Sequence, residues 1–230
     1  MYYRNDVISY LQSNKILALK LDHAVAGVKM AVTNQIETIG AGATRALYYT
    51  SCFTDEYQDV CKRQQTEDRR FLYGVVNLLQ RKDVVYELLK VYFEEIFKNK
   101  TAEQLDRIKK MLMAANVHIA ASSLSRVGFA LATATSVAVG MGLRLEMSVL
   151  VGRIAGIATV GVSLYGIVQK AADSARRLEF SYPAYYATLY TQELEMMYFL
   201  IEPLFQRAGA LKAHWVSDEE IADIIVRMIR

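Results

Sequence analysis

Apolar residues recur along this chain at spacings of three and four, and strict alternation of apolar and polar residues is scarce. Leu17, Leu21, Ala24, Val28, Ala31 and Val32 draw one face of a helix over about 15–38, preceded by a short helix over 5–13. A helix is predicted over Asp55–Gln80, solvated in its first half through Lys62, Arg63, Glu67, Asp68, Arg69 and Arg70 and apolar from Phe71 to Leu79. Asp83 is placed to cap a helix reaching Lys98, with Val84, Leu88, Val91, Tyr92 and Ile96 as its buried stripe. Thr101 and Gln104 have the spacing of a capping box, which opens a helix to about Ala121. Tyr182-Pro183 opens a long helix, which Pro203 is expected to kink or end, and Ser217 with Glu220 forms a second capping box before a last helix, Glu219–Met228. With only two prolines and no linker-like stretch, the pattern predicts an all-α, single-domain bundle over 1–230, of roughly eight or nine helices.

One stretch departs from amphipathic spacing. Residues 127–168 read as a central apolar, Gly/Ala-rich helical hairpin around which the other helices are built. Val127 to Leu143 are 17 residues without a charge, and Ile154 to Val168 are 15 more. Arg144, Glu146 and Arg153 lie between the arms, at the predicted tip. Small residues follow a four-residue ladder: Gly128, Ala132, Ser136 and Gly140 in one row, Ala130, Ala134, Ala138 and Gly142 in the next. The second arm has Gly152 and Gly156 as a GxxxG pair, then Gly161 and Gly166. Such rows let helix backbones approach closely, as helices do in lipid. They equally suit a pair of core helices, apolar all round because other helices enclose them. Each charge-free arm is shorter than the roughly 20 residues that span a bilayer.

Composition adds little to this. Apolar residues are 53% of the chain and charged residues 22%, with a net charge of +3. That balance excludes a disordered chain and lacks the strong basic patch of a nucleic-acid-binding protein. The slight basic excess suits an anionic membrane surface. Cys52 and Cys61 fit no zinc or CxxC pattern and are expected to be two buried thiols of a reducing compartment. The first residues carry no apolar core of a secretory signal, so synthesis in the cytoplasm is expected, with any export by a non-Sec route.

No catalytic, cofactor or metal motif emerges, and the chain is not expected to be an enzyme. Gly40-Ala41-Gly42 and Gly140-Met141-Gly142 do not complete a dinucleotide fingerprint, and no phosphate-binding loop is present. His23, His118 and His214 lack metal spacing. His118, just before the hairpin, is the candidate titrating group for an acid-triggered change. Tyr182, Tyr186 and Tyr190 form an i, i+4 stripe of the kind that favours wet–dry boundaries, either a bilayer interface or the edge of a core.

An apolar Ala/Gly-rich hairpin, Val127 to Val168, enclosed by amphipathic helices resembles the layout of pore-forming colicin domains. That resemblance implies a bundle that buries its hairpin until it meets a membrane. The expected function is therefore that of a membrane-active, pore-forming antibacterial toxin or effector. Its partners would be a lipid bilayer, met conditionally, and a cognate immunity protein. The alternative is a helical interaction or adaptor protein that binds a partner through its small-residue groove or its tyrosine-rich helix.

Overall fold

The computed structural model describes residues 45–46, 48–53, 57–80, 84–117, 119, 125–140, 161–213 and 216–229. Every regular element among them is helical: α1 (Gln58–Gln80), α2 (Val84–Phe97), α3 (Ala102–Ala114), α4 (Arg126–Gly140), α5 (Gly161–Ser181), α6 (Pro183–Thr191), α7 (Glu202–Ala208) and α8 (Asp218–Ile229). Three short 3-10 turns, Tyr49–Phe53, Glu195–Leu200 and Ala210–Lys212, complete the described elements. The all-α class read from periodicity holds. The chain divides into two compact units, Met1–Arg69 with Leu145–Ala172, and Arg70–Arg144 with Asp173–Arg230. Two of the three boundaries, after Arg69 and after Ala172, fall inside helices, α1 and α5, where no change of composition could signal them.

In the first unit, the cysteines are not thiols. Cys52, on the 3-10 turn, and Cys61, in the second turn of α1, form a disulfide with their Cα atoms 4.9 Å apart. The turn brings together two residues that a continuous helix would have held apart. Closing a loop of this length stabilises the fold by about 2–3 kcal/mol through the unfolded chain. Arg45, just before the turn, is wholly buried. Its guanidinium donates to Asp68 Oδ1 through Nε at 2.9 Å and also through Nη2, to Glu67 Oε2 at 3.1 Å, to Gln169 Oε1 at 3.2 Å and to the Gln64 carbonyl at 3.1 Å. A buried cation is tolerated only when its donors are met in this way. Gly166, Ile167, Val168, Ala171 and Ala172 of α5 are buried.

In the second unit, α2 packs along α4, α6 lies against α2, and α8 crosses α3, α4 and α7. The core is aromatic: Tyr92, Tyr185, Tyr198 and Phe205 meet edge-on or stacked at centroid distances of 4.6–6.2 Å. Two of these rings carry hydroxyls satisfied by backbone, Tyr92 by the Ala210 carbonyl at 2.7 Å and Tyr185 by the Leu88 carbonyl at 2.8 Å.

Helix ends follow local chemistry, with two corrections. The Thr101–Gln104 capping box is complete, with bonds of 3.2 and 2.9 Å. The helix it opens ends at Ala114, not Ala121. Asn116 turns left-handed (φ 61°), and the Asn116 and Val117 amides return to Met113 and Leu112 at 3.0 and 2.8 Å. This is a Schellman motif with Asn in the position glycine usually takes. The long helix expected after Pro183 likewise ends at Thr191. Glu193 is left-handed (φ 57°), and the Glu193 and Leu194 amides return to Tyr190 and Leu189 at 3.2 and 3.0 Å. Pro203 then starts α7 instead of kinking a longer helix. At α8, Ser217 Oγ accepts from the Glu220 amide at 3.3 Å, while the Glu220 carboxylate takes Arg227 at 2.6 Å.

Replacing Arg45 with Ala removes the buried cation that Asp68, Glu67 and Gln169 share. It should cost about 3–5 kcal/mol in urea denaturation followed by circular dichroism, the scale of breaking a buried ion pair. A loss below about 1 kcal/mol would mean that water screens the cluster.

Candidate site on the outer face of the apolar helix

The first arm of the expected hairpin is α4, 15 residues from Arg126 to Gly140. Ser125 caps it, its Oγ accepting from the Gly128 amide at 3.1 Å. The sequence alone does not single out this cap, because Ser122, Ser123 and Ser125 all offer hydroxyls there. Phe129, Ala130, Thr133, Ala134 and Val137 are fully buried and form the inner stripe of α4. Phe129 meets Phe97 of α2 edge-on at 4.9 Å, and the two alanines beside it let α2 come close.

The small-residue ladder therefore splits. Ala130 and Ala134 belong to the buried face, and Ala138 is half-buried. Gly128, Ala132 and Ser136 stay half-exposed on the flank. Gly140 has its own reason for lacking a side chain: a β-carbon built there would lie 2.5 Å from Ile229 Cγ2 of α8. The outer face exposes Val127 by 59% and Val139 by 63%. It carries no charge from Val127 to Gly140. The hydroxyls of Thr133, Thr135 and Ser136 donate to the carbonyls of Phe129, Leu131 and Ala132 at 2.8–2.9 Å. Their donors are thus met within the helix, and the face presents no unmet hydroxyl donor to an apolar environment.

Of the remaining predicted site residues, Gly161 opens α5 and Gly166 is buried in the first unit, apart from the unit that contains α4. Gly142, Gly152, Gly156, the tip charges Arg144, Glu146 and Arg153, and His118 lie outside the described residues. No described helix is long and apolar enough to cross a membrane, and among the described residues no His, Cys, Asp or Glu cluster could hold a metal ion.

The tyrosine stripe is graded rather than uniformly interfacial. Tyr182 is buried, Tyr186 half-buried and Tyr190 exposed. Burial pushes the Tyr182 hydroxyl well up and the Tyr186 hydroxyl up to about 12. The outer end is pinned by Arg70, which the polar pattern of its helix assigned to a solvated face. The Arg70 guanidinium sits 3.5 Å over the Tyr190 ring, donates to the Tyr190 carbonyl at 2.6 Å and pairs through two nitrogens with the buried Glu195 carboxylate. Burial works against the Arg70 charge, but Glu195 outweighs it and holds the guanidinium above its ordinary range. These residues lie 125 positions apart, beyond the reach of any local spacing rule.

At the start of α4 an open groove of about 540 Å³ lies among α2, α4 and α6. Buried Val91 and exposed Val127 line it, together with Glu94, Glu95, Lys98 and Arg126. Lys98 and Glu95 pair at 3.6 Å, and Arg126 Nε donates to the Lys100 carbonyl at 2.9 Å.

No known protein family, no curated protein sequence and no solved structure matches this chain.

Two predictions follow from the packing of α4 and from the acids around α7 and α8. Gly140→Ala gains helix propensity but forces Ile229 to move. A net loss of about 1 kcal/mol is expected, recovered when Ile229 is also made Ala, as a double-mutant cycle in urea will read; additive effects would remove the contact. Burial works to raise the carboxyls of Asp218 and Glu202, but bonds from Lys100 and Arg107 to the first, and from Arg177 to the second, hold both below their ordinary values of 3.8 and 4.5. A depressed carboxyl stabilises the fold above its unfolded-state value and loses that contribution as pH falls through the folded one. Their share of stability should therefore be flat from about pH 7 down to 5 and fall below about pH 4.5, read as the urea midpoint against pH. Asp218→Asn should flatten that fall.

Proposed function

We propose that this chain is a membrane-active helical protein that meets a bilayer through the outer face of α4. The observation that carries the reading is that face itself: a charge-free helix surface, its hydroxyl donors met internally, displaying Val127 and Val139 to solvent. An aqueous surface gains nothing from such a face, whereas an acyl-chain boundary accepts it. Lipid would first meet α4 while its inner face stays seated on α2. Deeper, pore-like insertion would require α2 and α4 to part, losing the burial of Phe129 and Val137 at about 1.5–3 kcal/mol for each side chain. Surface binding therefore precedes insertion.

In a pore-forming toxin or antibacterial effector, that second step would be the harmful one. Its producer would then need an immunity protein to block the α4 face. The Cys52–Cys61 disulfide supports a working place more oxidising than the cytosol, and so an exported chain. A second reading, a helical adaptor, is favoured by the half-exposed row Gly128, Ala132 and Ser136, which has the spacing on which a partner helix can lie close.

Flotation with phospholipid vesicles and release of a trapped dye, at about pH 7 and pH 5, test the proposal. The protein should float, and Val139→Asp, at an exposed position, should abolish flotation with the helical circular dichroism unchanged. Absence of both flotation and leakage at either pH would remove the membrane reading and leave the adaptor.

A further inference from the structure

The groove at the start of α4 carries a pattern that neither the apolar face nor the fold requires. Glu94, Glu95 and Lys98 come from α2, and Arg126 from α4. Two carboxylates and two cations therefore line one open space beside Val127. An isolated anion placed there would face the glutamates, and an isolated cation would face Lys98 and Arg126. A ligand carrying one charge of each sign, a few ångströms apart, has neither conflict. The groove's size, about 540 Å³, is that of a small-molecule site and not of a contact between folded domains.

We infer that this groove binds a zwitterionic phosphate ester of the phosphoethanolamine or phosphocholine type. Its phosphate would lie toward Arg126 and Lys98, and its ammonium toward Glu94 and Glu95. Arg126 is well placed for this role because its Nε is already held by the Lys100 carbonyl, which orients the guanidinium at modest further entropic cost. The Lys98–Glu95 pair, long at 3.6 Å, is loose enough to open around an incoming ligand. Val127 stands at the edge of the groove and begins the apolar face, so a headgroup seated there would lead its acyl chains onto α4. The inference rests on the membrane reading for its lipid source. The same headgroup chemistry also exists free in solution, as a glycerophosphodiester.

Two arms of one experiment separate these sources. In the first, wild type, Arg126→Gln and Glu94→Gln are floated with phosphatidylcholine–phosphatidylethanolamine vesicles and with phosphatidylglycerol vesicles. Wild type should prefer the zwitterionic vesicles, and each variant should lose about tenfold or more of that binding, the scale of one charge-assisted hydrogen bond. In the second, glycerophosphoethanolamine is titrated against the protein, and the backbone amides of Lys98 and Arg126 are followed by NMR. Saturable shifts that Arg126→Gln removes place recognition in the headgroup alone. Vesicle binding that depends on Arg126, without such shifts, assigns it to the membrane-borne lipid. Either result supports the site. Variants that float like wild type, while Val139→Asp does not, overturn the groove and leave the α4 face standing. A preference of about tenfold for phosphatidylglycerol also overturns it, since plain charge attraction would then suffice. Failure of wild type to float at all removes the proposed function. In that case the titration alone judges the groove, and the absence of shifts overturns it.

Discussion

The seam between α2 and α4 is the contact on which the second unit depends. Phe97 and Phe129 meet edge-on there, and the small buried Ala130 and Ala134 on the same inner stripe leave room for close packing. The helix α4 is apolar on both faces, so burial alone does not say which way it should turn. The large ring at position 129 does. Once Phe129 is inside, Thr133 and Val137 follow on the same stripe, and Val127, Thr135 and Val139 are rotated to the surface. The exposed apolar face, the split of the small-residue ladder and the groove at Arg126 all follow from that one rotational choice.

Charge is handled differently from apolar surface. In each unit a guanidinium is held by several acceptors, Arg45 by Asp68, Glu67 and Gln169 in one and Arg70 by Glu195 and the Tyr190 carbonyl in the other. Pairs of this kind need not add net stability over an apolar replacement, but they penalise any arrangement that separates the partners. They therefore act as selectors of one packing. The disulfide between Cys52 and Cys61 constrains the first unit in a third way, by shrinking its unfolded ensemble. The groove beside α4 contrasts with all of these. Its charges are half-exposed or exposed, and the Lys98–Glu95 pair among them is long, at 3.6 Å, which leaves these two free to exchange partners.

Acid sensitivity separates in the same way. Carboxyls held low by cations, Asp218 and Glu202, yield only in the carboxylate range. A response near pH 6 would need a group that titrates there, and His118, the residue suggested by its position before the apolar stretch, lies outside the described residues. The tyrosines follow the core more than the surface. The spacing of Tyr182, Tyr186 and Tyr190 suits a bilayer interface or a core edge alike, and Tyr182 closes the aromatic cluster beside Tyr185 at 5.8 Å. Equal spacing along a helix does not mean equal depth when the helix enters the core at an angle.

What the sequence determined by itself was local. The helical spacing over 84–97, the Thr101–Gln104 box, the Ser217 cap and the charge-free run from Val127 as far as Gly140 depend on residues a few positions apart. These appear where the spacing put them, while the helices expected over 5–13 and 15–38 lie outside the described residues. The early ends of α3 and α6 lay at the limit of that reasoning, because both turn on a left-handed residue, which Asn116 signals only weakly as a substitute for glycine and Glu193 does not signal at all. The tertiary structure alone decided which face of α4 is buried and why Gly140 is small. It also decided that Cys52 and Cys61 are bonded, that Arg70 belongs to Glu195, and that Glu94 shares a groove with Arg126. Each of these joins residues from different elements. A helix apolar on every side has no periodicity to choose its inner face, so that choice falls to the partner that packs against it.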